Sequence, residues 1–424
     1  MLTPCTAAVW LAVAIAQDQP DPRQRVRTAR ELARQGSAAI PALRTLIKDP
    51  ELEVRLEAVK SVVAIGTQHS LDPLVEATRD ADPEIQIRAT DGLVNFYLPG
   101  YVQTGLGATL RRAGGGIVAR FTDSNDQIVD PFVQARADVI EALGKLARGA
   151  TTMEARANAA RAAGVLRGRQ AVPDLITALR SKDSRILYEA LVALRKIREP
   201  STGPEIAFLL RDLDERVQLA AIETTGVLVN REALPRLREI LQRSENTRVR
   251  RATLSAIARM PDPASRPLYR TYLTNRDDEL RAAAAEGFAR LQSSGDIPML
   301  EKAFKDEGRM NPRLSLAFAL VMNGQTEIAE FSPLQYLINQ LNSRLWRGVS
   351  HAFLVESSRI PAVRSALLPV LRSSSKSEVT MVAQVLASSG DTAAIPHLEP
   401  LTRHPDPEIA QEALRALRTL RARQ

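Results

Sequence analysis

The stretch Ser37–Gly66, SAAIPALRTLIKDPELEVRLEAVKSVVAIG, predicts two short helices joined by a tight linker, because apolar residues recur at helical spacing on both sides of Lys48–Glu51. In the linker, Asp49 can cap a new helix and Pro50 suits its first turn. Gly66 can end the second helix. A helix pair this short cannot bury its own apolar face, so the stretch predicts a copy of itself on each side.

The same pattern recurs along most of the chain, in steps of 31 or 32 residues where it is regular. The second copy, Ser70–Tyr97, repeats the first-helix proline, the Asp-Pro linker and an apolar residue followed by arginine. The composition agrees with stacked helices, since aromatic residues make up 4% and apolar residues 45% of the chain. The prolines that mark the first helices are Pro41, Pro73, Pro173, Pro204, Pro235, Pro267, Pro298 and Pro396.

The motifs Ala-Ile-Pro-x-Leu, Asp-Pro-Glu-x-x-Val-Arg and Ala-Val-x-x-Val-x-x-Ile-Gly resemble the HEAT repeat, in the short bacterial form shared with phycobilin-lyase-type repeats. The resemblance runs from Ser37 to the C-terminus and implies an all-α, right-handed α-solenoid of about twelve stacked two-helix repeats. It also implies that second helices line a concave face, and that inter-helix aspartates and second-helix arginines form a structural ladder between neighbouring repeats. The residues that it places in this ladder are Asp49, Arg55, Asp82, Arg88, Asp214, Arg250, Asp278 and Arg281.

The first residues, Met1–Ala16, resemble a secretory signal, because an apolar run ends in small residues before a polar segment, although no Lys or Arg precedes it. We therefore expect a periplasmic or secreted protein. The alternative is an N-terminal helix that caps the solenoid of a cytoplasmic protein. Cleavage after Ala16 would remove Cys5, the single cysteine, and with it disulfide and thiolate chemistry. Residues 17–97 would then hold a cap helix and the first repeats, and residues 133–424 the remaining repeats with a C-terminal cap.

Residues 98–132, LPGYVQTGLGATLRRAGGGIVARFTDSNDQIVDPF, interrupt the repeat and predict an irregular insertion, since Gly114–Gly116 disfavours regular helix. Val133–Leu146 and Met153–Leu166 both have the pattern of second helices, so one repeat is predicted to lack a normal first helix. Loops of a solenoid often carry binding, and tyrosine and arginine often anchor interfaces. The alternative is a hairpin or degenerate helix that only packs on the solenoid edge. The candidate partner-binding residues are Tyr97, Tyr101, Arg111, Arg112, Arg120 and Phe121.

Positive charge is concentrated in the middle of the chain. Of the net charge of +8, residues 133–270 alone hold +9, from 25 basic and 16 acidic side chains. One interpretation is a bias toward arginine on solvated helix faces, and the other is a positive patch for an acidic partner. Nucleic-acid or polyanion binding through residues 180–270 is therefore the second functional hypothesis, although stacking aromatics are scarce there. Its candidate residues are Arg248, Arg250 and Arg251.

Catalytic and metal-binding patterns are missing from the sequence. None of the histidines is followed by glutamate, whereas the HEAT-repeat diiron hydroxylases that act on deoxyhypusine use repeated His-Glu pairs. Zinc-binding and serine-nucleophile motifs are missing too, and no apolar run after the leader approaches the roughly 18 residues that span a bilayer. The leading hypothesis is a non-enzymatic scaffold without a cofactor that binds a protein or peptide through its concave face, the insertion, or both. A phycobilin-lyase-like or other HEAT-repeat enzyme is the third hypothesis.

Overall fold

The computed structural model describes residues 21–101, 127–130 and 133–422, and all regular structure in these residues is helical. The chain divides into two compact units, one within residues 1–206 and one within residues 207–424. The α-helices of the first unit are α1 (Pro22–Leu32), α2 (Ile40–Leu46), α3 (Leu52–Ile65), α4 (Leu71–Ala77), α5 (Pro83–Tyr97), α6 (Ala137–Gly149), α7 (Met153–Val165), α8 (Val172–Ala178), α9 (Ser184–Ile197) and α10 (Gly203–Ile206). Those of the second unit are α11 (Glu215–Val227), α12 (Leu234–Arg243), α13 (Thr247–Ala258), α14 (Arg266–Leu273), α15 (Asp278–Leu291), α16 (Ile297–Asp306), α17 (Met310–Met322), α18 (Pro333–Asn339), α19 (Arg347–Ser357), α20 (Pro361–Leu367), α21 (Lys376–Ser389), α22 (Ile395–Leu398) and α23 (Pro407–Arg421).

Short 3-10 turns adjoin most of the first helices. The longest α-helices, α5 and α23, have 15 residues. In the described ranges no helix has both the length and the apolar character needed to cross a membrane. The 3-10 turns are Ala33–Ala39, Gln68–Ser70, Arg169–Ala171, Pro200–Thr202, Ala207–Arg211, Arg231–Ala233, Pro263–Ser265, Ser294–Asp296, Gln340–Asn342, Leu368–Arg372, Thr392–Ala394 and Pro400–Arg403.

The second helices begin at capping residues, as the linker pattern predicts. Asp82 and Asp214 each accept hydrogen bonds from two backbone N–H groups in the first turn of the following helix. Gly66 follows α3 in the left-handed region, at φ 58°, and so ends it as predicted. The first linker differs, because Glu51 rather than Asp49 stands at the capping position of α3, and Asp49 accepts a hydrogen bond from the Glu51 N–H group instead of from the first turn of the helix.

The predicted all-α array of two-helix repeats is confirmed. Within the first unit, α1, α3, α5, α7 and α9 pack one on the next. Within the second unit, the same holds for α11, α13, α15, α17, α19, α21 and α23. Small residues allow close approach, since a Cβ atom added to Gly164 in α7 would lie 2.6 Å from the Cα atom of Ala193 in α9. Each row of second helices therefore forms a continuous core.

The interpretation of Val133–Leu146 as a second helix is wrong. The helix in this region, α6, packs on α7 and also contacts the first helices α4 and α8. It is therefore the first helix of a complete repeat, and the irregular segment joins α5 to α6. First and second helices share the same apolar period, so the sequence pattern does not separate them.

Candidate functional site

Five second helices of the second unit, α11, α13, α15, α17 and α19, line a groove with a volume of about 720 Å³. The groove has a lining of both small and charged side chains. The small and apolar residues include Ala252, Ala282, Ala283, Gly348, Val349 and Ala352. The charged residues are Glu223, Arg248, Arg251, Arg259, Glu279, Glu286, Arg290 and Glu356, four of each sign.

A buried charge cluster at the groove is built around Arg290 of α15. Its Nε and Nη2 atoms donate hydrogen bonds of 2.7 and 2.8 Å to the two carboxylate oxygens of Glu356 in α19. Its Nη1 atom lies 3.1 Å from Glu286, one turn earlier in α15. Burial lowers the pKa of Arg290, but the hydrogen bond to Glu356 and the charges of both carboxylates raise it on balance, so the guanidinium stays charged. One cation between two carboxylates leaves this part of the groove with a net negative charge.

The same guanidinium holds α15 against α17 and α19 through aromatic rings. It lies 5.5 Å from the ring centroid of Phe318, which stacks on Phe353 with centroids 4.5 Å apart. Sequence reasoning missed this cluster. Glu356 lies 66 residues from Arg290, and their pairing follows from the packing of two non-adjacent second helices.

The predicted polyanion-binding arginines lie at the start of α13. Arg248 and Arg251 line the groove. Arg251 binds both carboxylate oxygens of Asp277, which raises the pKa of Arg251 through the hydrogen bond and the opposite charge. Arg248 lies 3.6 Å from Glu215, and Arg250 donates a 3.4 Å hydrogen bond to the hydroxyl of Tyr272.

Two members of the predicted partner-binding set are described: Tyr97 is the last residue of α5, and Tyr101 lies four residues later in the insertion. The Tyr97 hydroxyl accepts a 3.0 Å hydrogen bond from the N–H group of Arg136. Tyr101 lies close enough to the buried Arg161 of α7 to interact with it electrostatically. The other four candidates, Arg111, Arg112, Arg120 and Phe121, lie outside the described residues.

Residues 127–130, near the end of the insertion, contact the ends of α7 and α9. The N–H group of Val129 donates a 3.0 Å hydrogen bond to the carbonyl of Val165, at the end of α7. Lys196 of α9 donates a 3.1 Å hydrogen bond to the carbonyl of Gln127. Residues 127–130 therefore cross the ends of two neighbouring second helices.

Arginine–carboxylate pairs link consecutive linkers in a ladder. In each pair, the arginine comes four residues after the capping position of its helix, and the acid comes two residues before the next capping position. The arginine binds both carboxylate oxygens, through Nε and Nη2. The pairs are Arg25–Asp49, Arg55–Asp80 and Arg281–Glu307.

This register differs from the one that the resemblance implies. Asp82 and Asp214 cap their own helices, and Asp278 is the first residue of α15. Arg88 pairs with Glu84 inside α5. Asp49, Arg55, Arg250 and Arg281 stand at the positions that the ladder uses, but Asp82, Asp214 and Arg88 are each two residues too late. The sequence alone does not distinguish a capping aspartate from one that pairs with the previous repeat.

Gln86 stands at the arginine position of the ladder in α5. Its side-chain amide donates a 2.7 Å hydrogen bond to the carbonyl of Asp80 and accepts one from Thr151 in the next linker. A neutral side chain therefore makes the inter-repeat contact in this repeat.

A double-mutant cycle separates the two registers. We expect Arg55→Met and Asp80→Ala to show a coupling energy of about 1 kcal/mol in the free energy of unfolding, since their side chains touch and are mostly buried. Arg55→Met and Asp82→Ala should be additive, although Asp82→Ala alone costs about 1 kcal/mol through the lost cap. Urea unfolding followed by circular dichroism measures both cycles. Coupling of Arg55 to Asp82 but not to Asp80 would contradict the observed register.

First helices carry a second set of inter-repeat ion pairs that the sequence did not reveal. They join a basic side chain on one first helix to an acidic one on the next first helix or its preceding turn. The pairs include Arg44–Glu76, Arg148–Asp174, Arg211–Glu239, Arg238–Asp262, Arg270–Asp296 and Arg364–Asp391.

Within the described part of the chain, no three His, Cys, Asp or Glu side chains gather closely enough to hold a metal ion. His351 of α19 stands apart from any such cluster, and its buried Nε2 atom lacks a hydrogen-bond partner. Burial lowers the pKa of His351, because a charged imidazolium would lose its hydration.

The free energy of unfolding is expected to fall as the pH drops from 7.5 to 5.5. Below a pH of about 6.5 the unfolded chain binds a proton at His351 that the folded chain does not, so the unfolded state gains stability. The variant His351→Phe should show a flatter pH profile over this interval. Urea titrations at several pH values measure both slopes, and parallel profiles for the two proteins would contradict this prediction.

Comparison with known proteins agrees with the repeat structure described above. Models of HEAT repeats match residues 10–94, 140–226, 204–286 and 234–320, which together cover more than half of the chain. A search of curated proteins finds no match.

Three solved structures illustrate the range of proteins that the chain resembles. The complex of CpcE and CpcF of phycocyanin lyase from Nostoc sp. PCC7120 is 17% identical, with a TM-score of 0.38, over 63% of this chain and 92% of that one. An engineered protein is 20% identical, with a TM-score of 0.39, over 90% and 98%. Human deoxyhypusine hydroxylase is 18% identical, with a TM-score of 0.28, over 68% and 97%. Identities and TM-scores this low do not indicate the activity of this chain.

Proposed function

The chain belongs to the HEAT-repeat family, and from this premise we propose that it is a non-enzymatic scaffold that binds a protein or peptide in the groove. The observation that carries the proposal is the groove itself, which five second helices of one unit build together. Stacked repeats create extended surfaces of this kind, and their usual ligands are other polypeptides.

The lining of the groove suits a polypeptide. Small residues such as Ala252, Gly348 and Ala352 leave room for a partner backbone to come close. Charged side chains of both signs stand around them, so a partner can be held by several ion pairs and hydrogen bonds at once. The Arg290 cluster fixes the helices beneath, which lowers the entropy lost on binding.

The charge distribution favours a protein over a polyanion. Arg251 is already paired with Asp277, and Arg248 lies beside Glu215. Four glutamates line the same groove and would repel a phosphate backbone. Binding through Arg248, Arg250 and Arg251 to nucleic acid therefore has less support than binding of a polypeptide.

A blocked groove tests the proposal. A Cβ atom added to Gly348 meets no atom within 4 Å, so Gly348→Tyr projects a bulky side chain at the groove without disturbing the helix. Gly149→Tyr is the matched control, because Gly149 is also unobstructed but lies at the end of α6 in the first unit. Affinity capture with quantitative mass spectrometry, followed by titration of the captured protein in purified form, compares both variants with the unsubstituted chain.

We expect Gly348→Tyr to weaken binding of the captured protein by at least about tenfold, and Gly149→Tyr to leave it unchanged. Equal binding by all three proteins would overturn the proposal. Retention on DNA that falls steeply with salt, together with loss of retention in Arg248→Gln, would instead favour the polyanion hypothesis.

Export is a separate part of the proposal. It rests on the signal-like sequence of Met1–Ala16, which lies outside the described residues. N-terminal sequencing of the protein purified from cells tests it. A mature chain that begins at Gln17 supports export, and a chain that keeps Met1 speaks against it.

A further inference from the structure

The ladder provides three internal examples of a carboxylate site. Arg55 places Nε 2.8 Å and Nη2 3.3 Å from the two carboxylate oxygens of Asp80. Arg281 places the same atoms 2.7 and 3.1 Å from those of Glu307. The Arg25–Asp49 pair has the same geometry. In these three repeats, the arginine four residues after the capping position holds a carboxylate from the next repeat. Arg156 and Arg250 stand at the same position but bind neutral acceptors, the Ala147 carbonyl and the Tyr272 hydroxyl.

Arg313 of α17 stands at this ladder position, four residues after Arg309, but its repeat lacks the acid. Residues 340–346, QLNSRLW, form the next linker and contain neither Asp nor Glu. The acid position, two residues before Trp346 at the start of α19, is occupied by Arg344. No described residue forms an ion pair or hydrogen bond with the side chain of Arg313 or with that of Arg344.

Two aromatic rings hold the Arg313 guanidinium in place. Its central carbon lies 5.2 Å from the ring centroid of Phe304 and 5.1 Å from that of Tyr336. The two rings meet edge to face, with centroids 5.6 Å apart. The Tyr336 hydroxyl is directed to the sulfur of Met310, at 3.0 Å, and so does not serve the guanidinium.

The hydrogen-bonding capacity of Arg313 is left unused. Its Nε atom, which binds the carboxylate in all three examples, is buried without an acceptor. The side chain as a whole is only half-buried, so its outer edge is open to a ligand. Aromatic contacts reduce the rotational freedom of the guanidinium, and less entropy is then lost when a ligand binds.

We propose that the slot formed by Arg313 and Arg344 binds a carboxylate that a partner supplies, as an Asp or Glu side chain of a bound polypeptide. The ladder itself argues for this class of ligand, because in the repeat before it a glutamate side chain fills the same slot. Replacement of the acid by Arg344 reverses the local charge, so a negative group is attracted where the fold provides none.

The inference rests on the proposed function for the origin of its ligand, but it can be tested without the natural partner. The probes are three short peptides: Ac-AAEAA-NH2, Ac-AAQAA-NH2 and Ac-AAQAA with a free C-terminal carboxylate. NMR of protein labelled with 15N-arginine follows the Nε–Hε signals, and the signal that Arg313→Gln removes is assigned to Arg313.

We expect the glutamate peptide to shift the Arg313 signal saturably, and the amidated glutamine peptide to leave it unchanged. Arg344→Gln is an exposed substitution that keeps the ring contacts of Arg313, and it should weaken the binding of the glutamate peptide roughly tenfold. Arg185→Gln, an exposed substitution in the first unit and outside the groove, is the matched control and should not weaken it. If no peptide shifts the Arg313 signal while Gly348→Tyr still weakens partner binding, the slot is rejected and the groove is kept; the reverse result rejects the groove alone.

Other outcomes would overturn the inference. An Arg313 signal that no peptide shifts would show that the slot is a structural contact only. If only the peptide with a free C-terminal carboxylate shifts the signal, the slot binds a chain terminus and not an Asp or Glu side chain. If inorganic phosphate at matched ionic strength shifts the signal equally, the slot is not specific for carboxylates.

Discussion

Arg161→Met is expected to lower the free energy of unfolding of the first unit by about 3–5 kcal/mol. Arg161 in α7 donates hydrogen bonds of 3.1 and 2.6 Å to the two carboxylate oxygens of Glu189 in α9. Their side chains are only 3% and 2% exposed. Methionine would leave Glu189 as a buried charge without its partner, and such a charge costs far more than the lost attraction alone.

Two further variants identify the cause of this loss. The double variant Arg161→Met/Glu189→Leu should recover most of the stability, because two apolar side chains of similar volume need no pairing. Arg185→Met removes an exposed partner of Asp183 in the same unit and should cost about 0–1 kcal/mol. Urea unfolding monitored by circular dichroism measures all three. If Arg161→Met lowers the free energy of unfolding no more than Arg185→Met does, the ion pair between Arg161 and Glu189 is not buried as the structure shows.

Gly164→Ala is expected to destabilise the first unit by about 1–3 kcal/mol, although alanine favours helix over glycine. A Cβ atom at this position would lie 2.6 Å from the Cα atom and 2.9 Å from the Cβ atom of Ala193. Backbone atoms cannot yield as a flexible side chain can, so α7 and α9 would have to separate. Because these helices belong to the continuous row of the first unit, the shift would loosen the contacts of both.

The matched control is Gly348→Ala in α19, where an added Cβ atom meets nothing within 4 Å. We expect this variant to be more stable by no more than about 0.5 kcal/mol, because the helix-propensity gain of alanine is reduced in the first turn. Thermal and urea unfolding compare the two substitutions. If Gly164→Ala raises the free energy of unfolding, α7 and α9 are less closely packed than the distances to Ala193 indicate.

Much of the repeat could be predicted from the sequence because its signals are local. Helix starts follow from capping aspartates such as Asp82 and Asp214, and the end of α3 follows from Gly66. The place of α6 was not predictable in this way, since its apolar period is shared by first and second helices and only its neighbours α4 and α8 identify it. Local signals thus fix where helices begin, but not the row in which each one packs.

The candidate site depends on contacts that no local signal encodes. Arg290 meets Glu356 because α15 and α19 both flank α17, and nothing near either residue marks the pair. Asp80 rather than Asp82 pairs with Arg55, although both aspartates stand in the same linker. The empty slot at Arg313 becomes visible only when the register of the ladder is known, because an arginine at that position is ordinary in this chain.

The central claim is that a partner binds along the groove. Hydrogen–deuterium exchange of the purified chain, with and without the partner captured in the Gly348 experiment, tests it most directly. We expect exchange to slow in α13, α15 and α19, the helices that supply most of the groove lining, with Gly348→Tyr abolishing the change. Protection confined to residues 98–132 would contradict the claim and indicate that the partner binds the insertion. Protection confined to the first helices would contradict it too and indicate that the partner binds those helices.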